Sequence, residues 1–162
     1  MSPRSRQAVL KGYRRILWPT DFSPLAEAAL PHALRLAAGH DAELVVLHVL
    51  TPAGLYALPD VAAAAWGQLE RDNRATGKAA LRQLTERLHA QLPTLRVRSV
   101  LAEGVPFDQI LRAAKRLRCD LIVLATHGRT GLRHVLTGSV AENVVRRAPC
   151  PVLTVRPPRF PS

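Results

Sequence analysis

Aromatic side chains are scarce in this chain. Three Phe, two Tyr and two Trp make up 4% of its 162 residues, too few for the stacking platform on which single-stranded nucleic acids are bound. No recognition-helix motif stands in for it, so nucleic acid is not the expected partner. Cysteine is nearly missing as well. Cys119 and Cys150 are the only two, which excludes a disulfide-stapled scaffold. No apolar run approaches the roughly 20 residues of a membrane span, and Met1–Lys11 lacks the apolar core of a secretory signal. The expectation is a cytoplasmic protein without a membrane partner. Three phosphate and nucleophile signatures are missing: the Gly-x-x-x-x-Gly-Lys-Ser/Thr loop, the Gly-x-Gly-x-x-Gly fingerprint and the nucleophile elbow. His32, His40, His89 and His134 show no metal-ligand spacing.

Acidic residues are also few, 12 against 23 basic ones, for a net charge of +11. The excess is spread over the start (Arg4, Arg6, Lys11, Arg14, Arg15), one helix (Arg112, Lys115, Arg116, Arg118) and the end (Arg146, Arg147, Arg156, Arg159). Such a surface attracts polyanions without choosing among them. A solvated basic surface explains the charge without any partner.

What is present suits one domain with a real core. Met1–Tyr13 is polar, basic and without period, and reads as a tail. Arg15–Pro19 reads as the first strand. Thr20–Pro24 turns into a helix, with Ser23 as N-cap and Pro24 at a position that needs no amide partner. That helix runs to about Ala38, but Pro31 must distort it or make it begin later; Gly39 stops it. Glu43–Val49 is a buried strand, and Asp60–Leu92 a helix weakened a little by Gly67 and Gly77. Arg96–Leu101 alternates as an edge strand does. Pro106–Leu117 is a helix with one apolar stripe, and Pro151–Val155 is the last strand. Strand and helix alternate throughout, which argues for a parallel sheet with helices on both faces. Ligands of such sheets bind beyond the carboxyl ends of the strands, where the strand order reverses.

One stretch, Asp120–Asn143, is laid out to bind an anion. The run Leu121–Leu124 is a buried strand by length. Gly128, Gly131 and Gly138 mark a loop. Ser139 and Glu142 then fit a capping box at the start of a helix. The first amides of a helix have no internal partner, and the helix dipole adds partial positive charge there. Gly128 and Gly138 lack a Cβ and let a phosphate approach their amides. Arg129 and Arg133 stand inside the loop, where they can pair with phosphates. Ser139 as a helix cap needs no ligand to explain it. Asp21 either accepts hydrogen bonds from a ligand or caps its own turn. His48, within a strand, reads as structural. Cys119 and Cys150 each precede an apolar strand and read as buried thiols; were those strands neighbours, the thiols would lie close enough for redox chemistry.

The Asp120–Asn143 stretch resembles the nucleotide-binding signature of the universal stress protein family: Gly, two residues, Gly, nine residues, then Gly with Ser or Thr. Gly128, Gly138 and Ser139 match it, and Ala125 replaces the first glycine. The resemblance covers Arg14 to Arg156. It implies a Rossmann-like sheet of order 3-2-1-4-5, with the reversal between strands one and four. It implies a universal stress protein domain over 14–157, flanked by tails at 1–13 and 158–162. It also implies ATP or another adenine nucleotide as a regulatory ligand, with Mg2+ accompanying the phosphates. Carried over by position, the contacts are Pro19, Thr20 and Asp21 at adenine and ribose, Val49 at the adenine edge, Leu124 and Ala125 beside it, Gly128, Arg129, Gly138 and Ser139 at the phosphates, and Val140 at the helix start. His127, in a Thr-His-Gly motif like the family's, reads as a loop hydrogen-bonder. Hydrolysis is expected to be slow at most, since no poised base is visible. The family's habit implies a homodimer through Val152–Val155. The main alternative is a dimeric interaction module of the same family that binds no nucleotide, for which Ala125 is the best support.

Overall fold

The computed structural model describes residues 12–52, 63–126 and 139–156. Five strands form one parallel sheet: β1 (Arg15–Pro19), β2 (Glu43–Leu50), β3 (Val97–Glu103), β4 (Leu121–Ala125) and β5 (Val152–Val155). Their order is β3-β2-β1-β4-β5. The helices between them are α1 (Pro24–Glu27), α2 (Leu30–Gly39), α3 (Ala63–Gln91), α4 (Pro106–Arg116) and α5 (Ser139–Arg147).

The central strands are unbroken apolar runs because helices cover both faces of the sheet. Ile16, Trp18, Leu44, Val46, Leu121 and Val123 pack against α2 and α3. Leu17, Val45, Leu47, Ile122 and Leu124 face the other way, against α4 and α5. Each such buried side chain contributes about 1.5–3 kcal/mol through removal from water. β3 and β5 are the two edges; neither holds a fully buried residue, and the alternation expected of an edge strand is not seen in either.

Pro31 divides the first helical run. α1 ends at Glu27, Ala28 and Ala29 turn, and α2 restarts at Leu30 with Pro31 in its first turn. There the missing N–H costs nothing. Gly39 is the last helical residue rather than the turn-maker; Asp41 takes the left-handed conformation, φ 50°.

α3 has 29 residues and is about 43 Å long at 1.5 Å per residue. β2 beside it spans about 26 Å. Gly77 marks where the helix meets the sheet. A Cβ there would lie 3.2 Å from Leu50 and 3.3 Å from His48, so the glycine allows close approach rather than merely weakening the helix. Toward the C-terminus Leu81, Leu84 and Leu88 are buried, whereas Gln68–Thr76 are exposed throughout.

The amino ends of the strands are tied by charge. The Asp120 carboxylate accepts the amides of Arg14 (2.8 Å) and Arg15 (3.0 Å). The Arg15 side chain meets Glu43 at 2.6 Å and donates to the Leu117 carbonyl. Arg15 is therefore structural, unlike the surface pairs Arg112–Asp108 and Arg146–Glu142.

Candidate functional site

The strand order reverses between β1 and β4. The two strands pair at Ile16↔Leu121 and Leu17↔Ile122, and the pairing stops there. Each continues with its other neighbour. β1 runs on along β2 to Pro19↔Leu47, and the Thr20 amide donates to the Leu47 carbonyl at 2.8 Å. β4 runs on along β5 to Ala125↔Val155, and the Thr126 amide donates to Val155 at 3.0 Å. The carboxyl ends of β1 and β4 thus stop pairing, which in sheets of this kind makes the crevice where ligands bind.

One wall is the turn after β1. Thr20 is 6% exposed, and its hydroxyl oxygen accepts the Phe22 amide at 3.0 Å. The Asp21 carboxylate accepts the Ser23 amide at 3.0 Å. The Ser23 hydroxyl, also buried, accepts the Ala26 amide at 3.1 Å and caps α1 as its sequence position predicts. Phe22 is held at φ 60°, a conformation unfavourable to a residue with a Cβ. Its ring packs on His48, centroids 4.5 Å apart. The His48 Nδ1–H donates to the Thr20 carbonyl at 2.8 Å; Nδ1 carries the proton because a carbonyl only accepts. His48 is structural, as expected, but its position at the site was not legible in sequence.

The opposite wall is the end of β4. Leu124 is buried in the α4–α5 layer, and Ala125 packs on the α2–α3 layer. The positive-φ residues other than glycine are Phe22, Asp41 and Arg118 among the described residues. Ala125 is therefore compatible with its backbone, and nothing there requires glycine. Val49 lies near the end of β2, next to the turn after β1. Val140 stands in the first turn of α5, which begins at Ser139. Glu142 meets Arg146 one turn on, at 3.3 Å. Pro19, Thr20, Asp21, Val49, Leu124 and Ala125 thus lie at the carboxyl ends of three adjacent strands. Gly128, Arg129 and Gly138, with His127, Gly131 and Arg133, lie outside the described residues.

The cysteines sit at the other end of the sheet. Both are free, Cys119 buried and Cys150 partly so. Burial foremost, then the neighbouring Cys150 thiol, pushes the Cys119 thiol up to about 12. Cys150 is raised by burial and then by Asp120. Both therefore hold their protons at neutral pH and are poor nucleophiles. Among the described residues no group of three His, Cys, Asp or Glu side chains is placed to hold a metal, and no helix is long and apolar enough to cross a membrane.

Comparison with known proteins agrees with this architecture. The sequence model of the universal stress protein family matches residues 12–156. Universal stress protein MJ0531 of Methanocaldococcus jannaschii is 35% identical over 147 residues, covering 91% of this chain and 84% of the relative. Universal stress protein YxiE of Bacillus subtilis is 30% identical over 149 residues, covering 89% of this chain and 99% of YxiE. The structure of universal stress protein UspA from Lactobacillus plantarum superposes with a TM-score of 0.78 at 32% identity, covering 90% of this chain and 99% of the other. With its five-stranded sheet, its reversal between β1 and β4 and these relatives, the chain belongs to the universal stress protein family.

Proposed function

We propose that this chain binds an adenine nucleotide, ATP foremost, as a regulatory ligand in the stress response. The observation that carries the reading is the early end of β1–β4 pairing, which leaves a crevice at the switch point. Pro19, Thr20, Asp21 and Val49 line the base and ribose side; Leu124, Ala125 and Val140 line the other. Gly128, Arg129, Gly138 and Ser139 would receive the phosphates, and a Mg2+ ion accompanying them would offset their charge. Two proteins of the same fold are described with adenine nucleotides: a universal stress protein in complex with cAMP, and one from Arabidopsis thaliana with AMP bound. At 24% and 20% identity they bear on the fold; the residues at the crevice bear on the ligand.

Binding rather than turnover is the proposed activity, with slow hydrolysis as its upper limit. The protein acts in the cytoplasm as a homodimer joined through β5. That edge strand exposes Leu153 by 37%, and Val145 on α5 is 51% exposed, so pairing two β5 edges about a two-fold axis would cover both. The deciding experiment is mass analysis of small molecules released by denaturing the purified protein, with calorimetric titration of ATP. An adenine nucleotide in the release, and saturable ATP binding, are expected. Neither being seen would leave the nucleotide-free interaction module as the better account.

A further inference from the structure

The parallel ladder between β1 and β2 has a fixed alternation. The Thr20 amide donates to the Leu47 carbonyl, so the main chain of Leu47 faces β1. The Gly104 amide donates to Leu50, and the Leu44 amide to Arg96, so the even residues of β2 face β3. Val49 therefore turns its N–H and C=O toward β1, like Leu47. In an unbroken ladder the Val49 amide would donate to the Thr20 carbonyl. That carbonyl instead receives the His48 Nδ1–H at 2.8 Å. The register of β1 on β2 ends at Pro19↔Leu47, and among the described residues no β1 group bonds the Val49 main chain.

We propose that His48 is a positioning residue: by holding the Thr20 carbonyl to its ring N–H, out of line with the ladder, it keeps the Val49 amide and carbonyl out of the sheet and aimed past the end of β1. The consequence for binding rests on the adenine-nucleotide reading above. A donor and an acceptor side by side match the edge of adenine, which offers a ring nitrogen as acceptor and an exocyclic amine as donor. Guanine reverses that pair and would leave both protein groups unsatisfied, so the site prefers ATP to GTP. Two further contacts fix the His48 ring. Phe22 packs on it at 4.5 Å, and Gly77 of α3 leaves room for its Cδ2. The ring thereby links the ligand-facing turn to α3.

The test is amide hydrogen exchange of the nucleotide-free protein by NMR, on wild type, His48→Leu and His48→Asn. Asparagine carries an N–H donor at the branch point that Nδ1 occupies. In wild type the Val49 amide should exchange at least 100-fold faster than that of Leu47. In His48→Leu it should slow at least tenfold, as it falls back onto the Thr20 carbonyl, and ATP affinity should fall at least tenfold. His48→Asn should restore fast exchange and most of the affinity. Val49 protected as strongly as Leu47 in wild type, or unchanged in His48→Leu, overturns the proposal. Should His48→Leu fail to fold, the wild-type comparison still decides. Because exchange is read without nucleotide, failure of ATP to bind wild type would overturn the ligand reading and leave the His48 result standing.

Discussion

Replacing Thr20 by valine removes one oxygen from the turn after β1 and leaves its shape. The residue is 6% exposed, and its hydroxyl oxygen holds the Phe22 amide at 3.0 Å. Valine fills the same volume but cannot accept, and the Phe22 amide loses its partner in a largely buried turn. That costs about 1–3 kcal/mol. The main chain of Thr20 stays anchored to Leu47 and His48, so the variant should fold. Phe22, at φ 60°, already bears about 1–2 kcal/mol of left-handed cost, which the hydroxyl helps to offset. Without it the turn relaxes and the wall of the crevice moves. The assay is urea unfolding with linear extrapolation, wild type against Thr20→Val and Thr20→Ser. Serine keeps the oxygen and loses one methyl, for about 0.8 kcal/mol. For a chain of this size each kcal/mol lowers Tm by about 2–4 °C. Valine should be the worse of the two and should also weaken ATP binding. A valine variant as stable as the serine one would show that the oxygen does not hold the turn.

Gly104→Ala should destabilise the protein by about 1–3 kcal/mol, because Gly104 sits at φ 134° and a Cβ would lie 2.9 Å from Gln109 Nε2; thermal unfolding reads the loss. Burial raises the Cys119 thiol from 9.0 to about 12. Its contribution is therefore whole below the unfolded pKa near 9 and is lost as pH rises through 12, at about 1.4 kcal/mol per pH unit. Cys119→Ala should remove that part of the slope in urea unfolding above pH 9, and an equal slope in both proteins would contradict it. Gly138→Val should abolish ATP binding while leaving the fold largely intact, since a side chain blocks phosphate approach; unchanged affinity in calorimetry would mean that the phosphates bind elsewhere.

The sheet was legible because its strands are apolar runs of the right length. Arg15–Pro19 appears with the bounds its sequence suggests, and Leu121–Leu124 gains only Ala125. Pro31 announced a break, and the break is there, since a missing N–H and a fixed φ act locally. Strand order came from the family resemblance, because nothing in five apolar runs says which are neighbours. At the site Ser23 could be read as a cap from type and position alone. His48 could be called structural but not located: its bond to Thr20 spans 28 residues of sequence. Gly77 looked like a helix weakness, and its role appears only where α3 crosses β2. Concern over Ala125 depended on a backbone angle, which pairing with β5 supplies.

α3 is a single rod made of two unlike halves. From Gly77 onward it is clamped to the sheet; before that, Gln68–Thr76 overhang it with their side chains in solvent. Among the described residues the ties of this stretch are few: Gln68 with Asp72 and Arg71, and Arg74 with Glu103. Helical order there is inherited from the clamped half, since a free stretch of that length scarcely holds itself in water. Melting of Gln68–Thr76 should therefore halt at Gly77, the fulcrum of the rod. Anything that grips Gln68–Thr76 would change the leverage at Gly77, and through it at the His48 ring beneath.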